Sequence, residues 1–298
     1  MRRIMTKNKF LIINADDFGM SREFNLAIRD LMNNQSITTT SIMANGLAFS
    51  EAVSFIKGNR LQNIGVHLTL TRDNFLTEAP LLYRNISPAH TLLDKNGNLY
   101  TAPEELKRKA TFRDIVTEVC AQISLVREAG IEFTHIDNHM YSLMPRMGLR
   151  GYQAFFSAYR KEASNDFCGV RIAKSFYISD GLNYIWSGRK ILPYIRIKMR
   201  QLKLVGPDYS FAFPYYAEKA KTMEQKRELY EHFLKNLHEG ITELHIHPCV
   251  YSNQLRSYNP YWKNRVHEYN LFMEYDKAKL QNEFGIELIS YRDILEIL

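Results

Sequence analysis

Short apolar runs alternate with helix-like segments along the first half of this chain, and several of the runs end in ionisable side chains. Residues 9–15 form a continuous apolar run, which is typical of a strand buried on both faces. A helix-like segment follows at 21–33, then a strand-like run at 38–44, a helix at 48–57 and a strand at 63–71. This βαβαβ order predicts parallel strands joined by crossover helices.

The same alternation continues after a loop-rich stretch at 72–111, a length typical of a lid or binding loop. It predicts helices at 112–130, 223–237 and 269–281, strands at 131–137, 241–247 and 285–290, and a closing helix. No linker, repeat or low-complexity tract divides the 298 residues, so we expect one domain over 1–298. Strands and helices alternating over this length favour an α/β fold of the irregular (β/α) barrel type over an open doubly wound sheet. Phosphate-binding glycine motifs are absent from the sequence, which argues against nucleotide binding.

The charge and the cysteine content further narrow the classes of protein to which the chain could belong. The formal net charge is +7, but the basic residues are scattered, so we expect no nucleic-acid partner. The three cysteines have no C-x-x-C spacing, which argues against disulfides and thiolate zinc sites and suits the cytoplasm. The N-terminal residues lack the apolar region of a signal peptide, and no apolar run is long enough to span a membrane.

Four of the strand ends carry the residues that point to chemistry. The carboxyl ends of parallel strands are where α/β proteins build their sites. Five of the nine histidines lie at these ends, together with three aspartates: Asp16, Asp17, His67, His135, Asp137, His139, His245 and His247. Two imidazoles and a carboxylate are a common ligand set for a hydrolytic divalent metal. The adjacent charges of Asp16 and Asp17 repel each other, and a cation bound by one would leave the other as a base.

Each of these residues also has a structural interpretation when it is taken alone. His67 could be a hydrogen-bonded core histidine, and Asp17 could cap the helix that follows it. His245 and His247 share one strand face and could form a polar layer without catalysis. Taken together, the strand-end residues favour a metal site over these structural roles.

Four motifs carry a resemblance that covers about residues 9–293. "NADDFG" (14–19), "GVHLTLT" (65–71), "THIDNH" (134–139) and "HPCV" (247–250) make the chain similar to the YdjC-like carbohydrate deacetylases. The resemblance implies a barrel-like fold related in mechanism to the NodB-type polysaccharide deacetylases. It also implies one divalent metal ion, Mg²⁺ or Zn²⁺, and two imidazole ligands sit more naturally with zinc or another transition metal.

Roles for individual residues follow from the same resemblance. Asp17, His67 and His139 match the metal ligands, Asp16 the catalytic base, and His247 the acid near the leaving amine. His135, Asp137 and His245 are left as supporting or substrate-contacting groups. The implied reaction is hydrolysis of an N-acetyl group on an amino sugar. Hydrolysis of another amide or a phosphoester, and sugar binding without catalysis, remain as alternatives.

The chain departs from better-known members next to these motifs. Met140, Tyr141 and Leu143 stand where those members tend to carry further histidines, and "HPCV" lacks a glycine after the proline. Both departures lie where a substrate would sit, so the identity of the sugar does not transfer.

A few further residues are open to two interpretations. The basic stretch 188–206 could contact an anionic membrane or glycan, although a solvated basic helix face is favoured, with Pro193 interrupting any continuous helix. Arg265 and Arg292 could lie near the site or form structural ion pairs. The sequence is compatible with a monomer or a homo-oligomer.

Overall fold

The strands form one curled sheet, a half-barrel, in the computed structural model, which describes residues 8–73, 82, 84–162, 168–178, 182–184, 191–213, 220–275 and 277–297. The strands are β1 (Lys9–Phe18), β2 (Thr39–Ile42), β3 (Ile64–Leu68), β4 (Phe133–Asn138), β5 (Cys168–Val170), β6 (Ser175–Ile178), β7 (Leu182–Tyr184), β8 (Leu204–Val205), β9 (Tyr209–Ala212), β10 (Gly240–Ile246) and β11 (Glu287–Leu288). Their order is β7-β6-β9-β10-β1-β2-β3-β4-β5-β8, and β11 pairs with the start of β1. All pairs are parallel except β6 with β7, which confirms the irregular barrel. One domain over 1–298 stays a prediction.

The helices connect these strands. They are α1 (Arg22–Asn33), α2 (Phe49–Asn59), α3 (Pro103–Lys109), α4 (Phe112–Glu128), α5 (Leu149–Glu162), α6 (Leu192–Gln201), α7 (Met223–Lys235), α8 (Asn253–Tyr258), α9 (Trp262–Met273), α10 (Lys277–Phe284) and α11 (Ile294–Ile297). Two short 3₁₀ turns cover His90–Leu92 and His139–Tyr141. α4 begins where the Thr111 hydroxyl accepts a hydrogen bond from the Asp114 amide at 3.2 Å.

Strand β1 is the centre of the sheet. It pairs with β10 on one side and β2 on the other, so both of its edges are hydrogen-bonded. Leu11, Ile12 and Ile13 are fully buried, as the continuous apolar run predicted. The carboxyl ends of β10, β1, β2, β3 and β4 therefore meet at one edge of the curled sheet.

One prediction about local structure is wrong. The helix predicted at 269–281 is two helices, α9 and α10, because α9 ends in i→i−3 bonds and Tyr275 turns into the core. Pro193 lies in the first turn of α6, which begins at Leu192, and its missing N–H is not needed there. The described part of the loop-rich stretch 72–111 contains α3 and the 3₁₀ turn at His90–Leu92.

The basic stretch is described only from residue 191 onward. α6 buries Ile195 and exposes Arg196, Ile197 and Arg200, which fits the solvated helix face. Contact with a membrane or polyanion stays a hypothesis. Within the described ranges, no helix has the length and apolar character needed to cross a membrane. All three cysteines are free thiols.

Candidate metal centre and active site

The strand-end residues predicted from the sequence lie together at the carboxyl edge of the sheet. They come from four strands and the residues directly after them: Asp16 and Asp17 from β1, His67 from β3, His135, Asp137 and His139 from β4, and His245 and His247 from β10. Seven of these eight residues are buried, and the side chain of His247 is 19% exposed. A site this enclosed leaves its charges in a low dielectric, where each one needs a partner.

A kink in β1 explains how two adjacent carboxylates serve one site. Neighbouring residues in a regular strand point to opposite faces. The register of β1 with β2 shifts between Ala15 and Phe18, and Asp17 has φ of 70°, in the left-handed region. Such a bulge re-aims a side chain. Both Asp16 and Asp17 consequently contact site residues, and Asp17 is not the helix cap that it could have been.

Asp17, His67 and His139 form a cluster with the composition of a metal site. Asp17 Oδ1 lies 3.5 Å from His67 Nε2 and 3.3 Å from His139 Nδ1. One ligand atom from each of the three residues lies within 4.8 Å of the others. Within the described part of the chain, Asp17 Oδ1 and His67 Nε2 are buried and make no hydrogen bond. Buried polar atoms without partners fit an ion between them, and an N, N, O donor set suits zinc or another transition metal.

The remaining atoms of these ligands are held by other groups. His67 Nδ1 is 2.7 Å from Asp137 Oδ1, which leaves Nε2 facing Asp17. The Ser41 hydroxyl donates to Asp137 Oδ2 at 2.8 Å. Arg265 Nη1 donates to Asp17 Oδ2 at 3.1 Å from helix α9. Burial alone raises the pKa of Asp17, but His139, His247 and Arg265 lower it below its usual range, so this carboxylate stays ionised.

Arg171 binds and orients Asp16, the other carboxylate of the adjacent pair. Its Nη1 and Nη2 donate to the two oxygens of Asp16 at 2.7 and 2.6 Å, a bidentate arrangement. The same guanidinium lies 2.7 Å from Asp137 Oδ2, and its Nε donates to Glu243 Oε1 at 2.9 Å. Burial opposes ionisation, yet Arg171 and then His67 lower the pKa of Asp16 well below its usual range. Asp16 is therefore an anion fixed in one orientation.

His247 lies at the open side of this carboxylate. Its Nε2 is 3.8 Å from Asp16 Oδ2, and its backbone N–H donates to Glu268 Oε2 at 2.9 Å. Burial lowers the pKa of His247 against the opposing effect of Asp17 and Asp16, so the ring is neutral at pH 7. A neutral imidazole beside a carboxylate accepts a proton readily and then donates it.

His135 and His245 support the site from two sides. His135 reaches Asp16 only through Asn14: its Nε2 is 3.0 Å from Asn14 Oδ1, and Asn14 Nδ2 donates to Asp16 Oδ1 at 2.7 Å. The His135 ring stacks on Tyr291, with centroids 4.2 Å apart. Burial lowers the pKa of His135 to about 4. These contacts and its full burial fit a supporting role for His135.

His245 has a different neighbour. Its Nε2 is 2.7 Å from the Tyr141 hydroxyl, and its ring lies 6.1 Å from that of His247. Met140 and Tyr141 have φ of 53° each, so the backbone turns sharply after His139 and brings the Tyr141 phenol into the site. The departure noted in the sequence at 140–143 thus places a tyrosine against His245, and not against the proposed acid His247.

Several site residues were not found from the sequence. Arg171 follows β5, a strand of three residues, and Glu243 lies inside β10 on the same face as His245. That alternation along "ELHIH" was the available signal for Glu243. The sequence allowed either a place near the site or a structural ion pair for Arg265 and Arg292. Arg265 lies in the site, whereas Arg292 is exposed.

The fold and these contacts define an α/β half-barrel protein with a buried aspartate and histidine cluster at its strand ends. This chain belongs to the YdjC-like protein family, whose model matches residues 10–282.

Known proteins similar to the chain span nearly its whole length. A carbohydrate deacetylase of Listeria monocytogenes serotype 4a is 27% identical over 287 residues, 95% of this chain and 99% of the relative. One from Clostridium beijerinckii is 26% identical over 284 residues, with the same coverage. A crystal structure from Enterococcus faecalis V583, provisionally named a cellobiose-phosphate cleavage protein, superposes with a TM-score of 0.72 at 22% identity, over 96% of this chain and 99% of that one. This last similarity supports the fold.

Proposed function

We propose that this protein is a metal-dependent deacetylase that hydrolyses an N-acetyl group on an amino sugar or oligosaccharide. The observation that carries the proposal is the cluster of Asp17, His67 and His139 beside the fixed anion Asp16 and the neutral His247. Membership of the YdjC-like family and the name of its full-length relatives, carbohydrate deacetylase, supply the substrate class.

Asp17, His67 and His139 would hold the ion, and their two nitrogens favour Zn²⁺ or another transition metal over Mg²⁺. When bound, such an ion polarises the acetyl carbonyl and lowers the pKa of a water molecule. Asp137 and Arg265 keep two of the ligands in orientation through the contacts described above. The enclosed edge of the sheet excludes most bulk water from the reacting groups.

Asp16 and His247 would move the proton. Asp16 takes a proton from the attacking water as the new C–O bond forms, and Arg171 fixes the orientation of the carboxylate. His247 is neutral at rest, so it must gain a proton before it can donate one. Asp16 would supply that proton, since its Oδ2 lies 3.8 Å from His247 Nε2. His247 then protonates the amine nitrogen as the C–N bond breaks, and the products are acetate and a free amino sugar.

The test is acetate release from a panel of N-acetylated mono- and oligosaccharides. The Zn²⁺-loaded protein would be compared with the same protein in excess chelator. Asp16→Asn is expected to lower the rate by about 10²–10⁴-fold, the usual contribution of a general base. His139→Ala is expected to abolish Zn²⁺-dependent release, because it removes a ligand.

His232→Ala is the matched control, because it removes an exposed histidine on α7 that does not belong to the cluster. Equal release with and without chelator would contradict metal dependence. Zn²⁺ binding without acetate release from any sugar would redirect the assignment to hydrolysis of another amide or of a phosphoester. Sugar binding without any hydrolysis would favour a non-catalytic role.

A further inference from the structure

Asp73 is an acidic side chain at the metal cluster that the proposed reaction does not use. It follows β3 by five residues, and 13% of its side chain is exposed. Its Oδ2 lies 3.6 Å from His139 Nε2, while His139 Nδ1 lies 3.3 Å from Asp17 Oδ1. The His139 ring is thus placed between two carboxylates, one at each nitrogen.

The other histidine of the cluster has the same arrangement. His67 Nε2 faces Asp17 at 3.5 Å, and His67 Nδ1 is 2.7 Å from Asp137. Each imidazole therefore directs one nitrogen to Asp17 Oδ1 and the other to a carboxylate of its own. Carboxylates on the far nitrogen of a ligating histidine fix its tautomer and ring orientation and raise its basicity.

The backbone that carries Asp73 is held in place. The N–H of Arg72 donates to the Tyr100 carbonyl at 2.9 Å, and Arg72 Nε donates to the Leu99 carbonyl at 2.9 Å. The guanidinium of Arg72 also lies 3.8 Å from Asp94. These contacts tie the segment directly before Asp73 to residues 94–100.

We propose that Asp73 is a positioning residue for the metal centre. Its carboxylate faces His139 Nε2 at 3.6 Å and favours a proton on that nitrogen, so that in the metal-bound state His139 Nδ1 is unprotonated and directed at the ion. The inference rests on the metal site of the proposed function, but not on the sugar or the reaction. It assigns different partners to the two histidine ligands: Asp137 for His67 and Asp73 for His139.

The test measures metal binding directly. The dissociation constant for Zn²⁺ would be obtained by chelator competition at fixed pH for the wild type, Asp73→Asn and Asp73→Ala. Both variants are expected to bind Zn²⁺ about 10–100-fold more weakly, the usual effect of removing such a partner. The absorption spectrum of bound Co²⁺ should also change, because the His139 ring is free to reorient.

Asp30→Asn is the matched control, since it replaces a half-exposed carboxylate on α1 that pairs with Arg29. It should leave the dissociation constant unchanged. The free energy of unfolding of each variant would also be measured in excess chelator, and we expect the metal-free folds to be equally stable. His139→Ala should bind more weakly than either Asp73 variant.

Three outcomes would overturn the inference. Zn²⁺ affinity and the Co²⁺ spectrum unchanged in both Asp73 variants would refute it while leaving the proposed function intact. A loss as large as that of His139→Ala would make Asp73 a ligand itself and not a positioning residue. Failure of the wild type to bind Zn²⁺ would instead refute the proposed function, and the inference with it.

Discussion

Replacing Arg171 with methionine tests the charge balance beneath the site. The guanidinium contacts Asp16, Asp137 and Glu243, and all four side chains are at most 3% exposed. Arg171→Met keeps much of the apolar volume and removes the only cation among these four groups. Removing one partner of a buried ion pair typically destabilises a protein by about 3–5 kcal/mol.

The pH dependence can be worked out from the same groups. Burial raises the pKa of Glu243 to about 7, so this group is partly protonated at neutral pH in the wild type. Without Arg171, the folded state must protonate at least one of Asp16 and Asp137. With an ordinary aspartate pKa of about 3.9, that protonation costs about 4 kcal/mol at pH 7 and about 1.5 kcal/mol at pH 5. The variant binds more protons when folded, so its deficit shrinks as the pH falls.

The assay is urea unfolding of the metal-free wild type and variant at pH 7 and pH 5. We expect Arg171→Met to lower the free energy of unfolding by about 4 kcal/mol at pH 7 and by clearly less at pH 5. Arg29→Met removes the half-exposed pair with Asp30 and should change the free energy by less than about 1 kcal/mol. A deficit below about 1 kcal/mol, or one equal at both pH values, would refute the reasoning.

Two further predictions concern the metal and the sheet. The carboxylates of Asp73 and Asp17 outweigh the effect of burial and raise the pKa of metal-free His139 to about 10, so Zn²⁺ binding must displace a proton. The affinity for Zn²⁺ should therefore rise about 10-fold per pH unit between pH 6 and 8. Calorimetry in buffers of different ionisation enthalpy should detect the release of protons on binding. Zn²⁺ affinity that is flat over this range would contradict the protonated state of His139. A Cβ at Gly65 would lie 2.3 Å from His135 Nε2, so Gly65→Ala should destabilise the protein by about 1–3 kcal/mol in thermal unfolding. Gly58 in α2 has open space around it, so Gly58→Ala should stabilise the protein by about 0.5–1 kcal/mol. Equal effects of the two alanines would show that the His135 ring moves aside without loss.

The sequence predicted the part of the site that lies directly after long strands. Asp16, His67 and Asp137 stand at the ends of runs whose apolar character is easily seen, and parallel strands bring those ends together. Family resemblance added the division into ligands, base and acid, which stays a proposal for this chain. The irregular barrel was predicted from the order of elements alone.

Three charged residues of the site were not predicted from the sequence, because they do not stand at the ends of long strands. Arg171 follows a strand too short to detect, Arg265 extends from α9, and Asp73 comes from a segment fixed by tertiary contacts. Each is charged, and a charged residue in a loop or on a helix is usually exposed. Only the folded chain shows that the two arginines are buried beside carboxylates and that Asp73 lies beside His139.

The left-handed backbone at Asp17 decides which substitutions can be interpreted. Asparagine tolerates that conformation nearly as well as aspartate, whereas β-branched residues do not. Asp17→Asn therefore removes the charge and keeps the kink, but Asp17→Val would change the direction of the chain at the same position. Loss of function in a branched variant would report on the path of β1, not on the carboxylate. The positive φ at Asp17 therefore restricts natural variation at this position to side chains that tolerate the left-handed conformation.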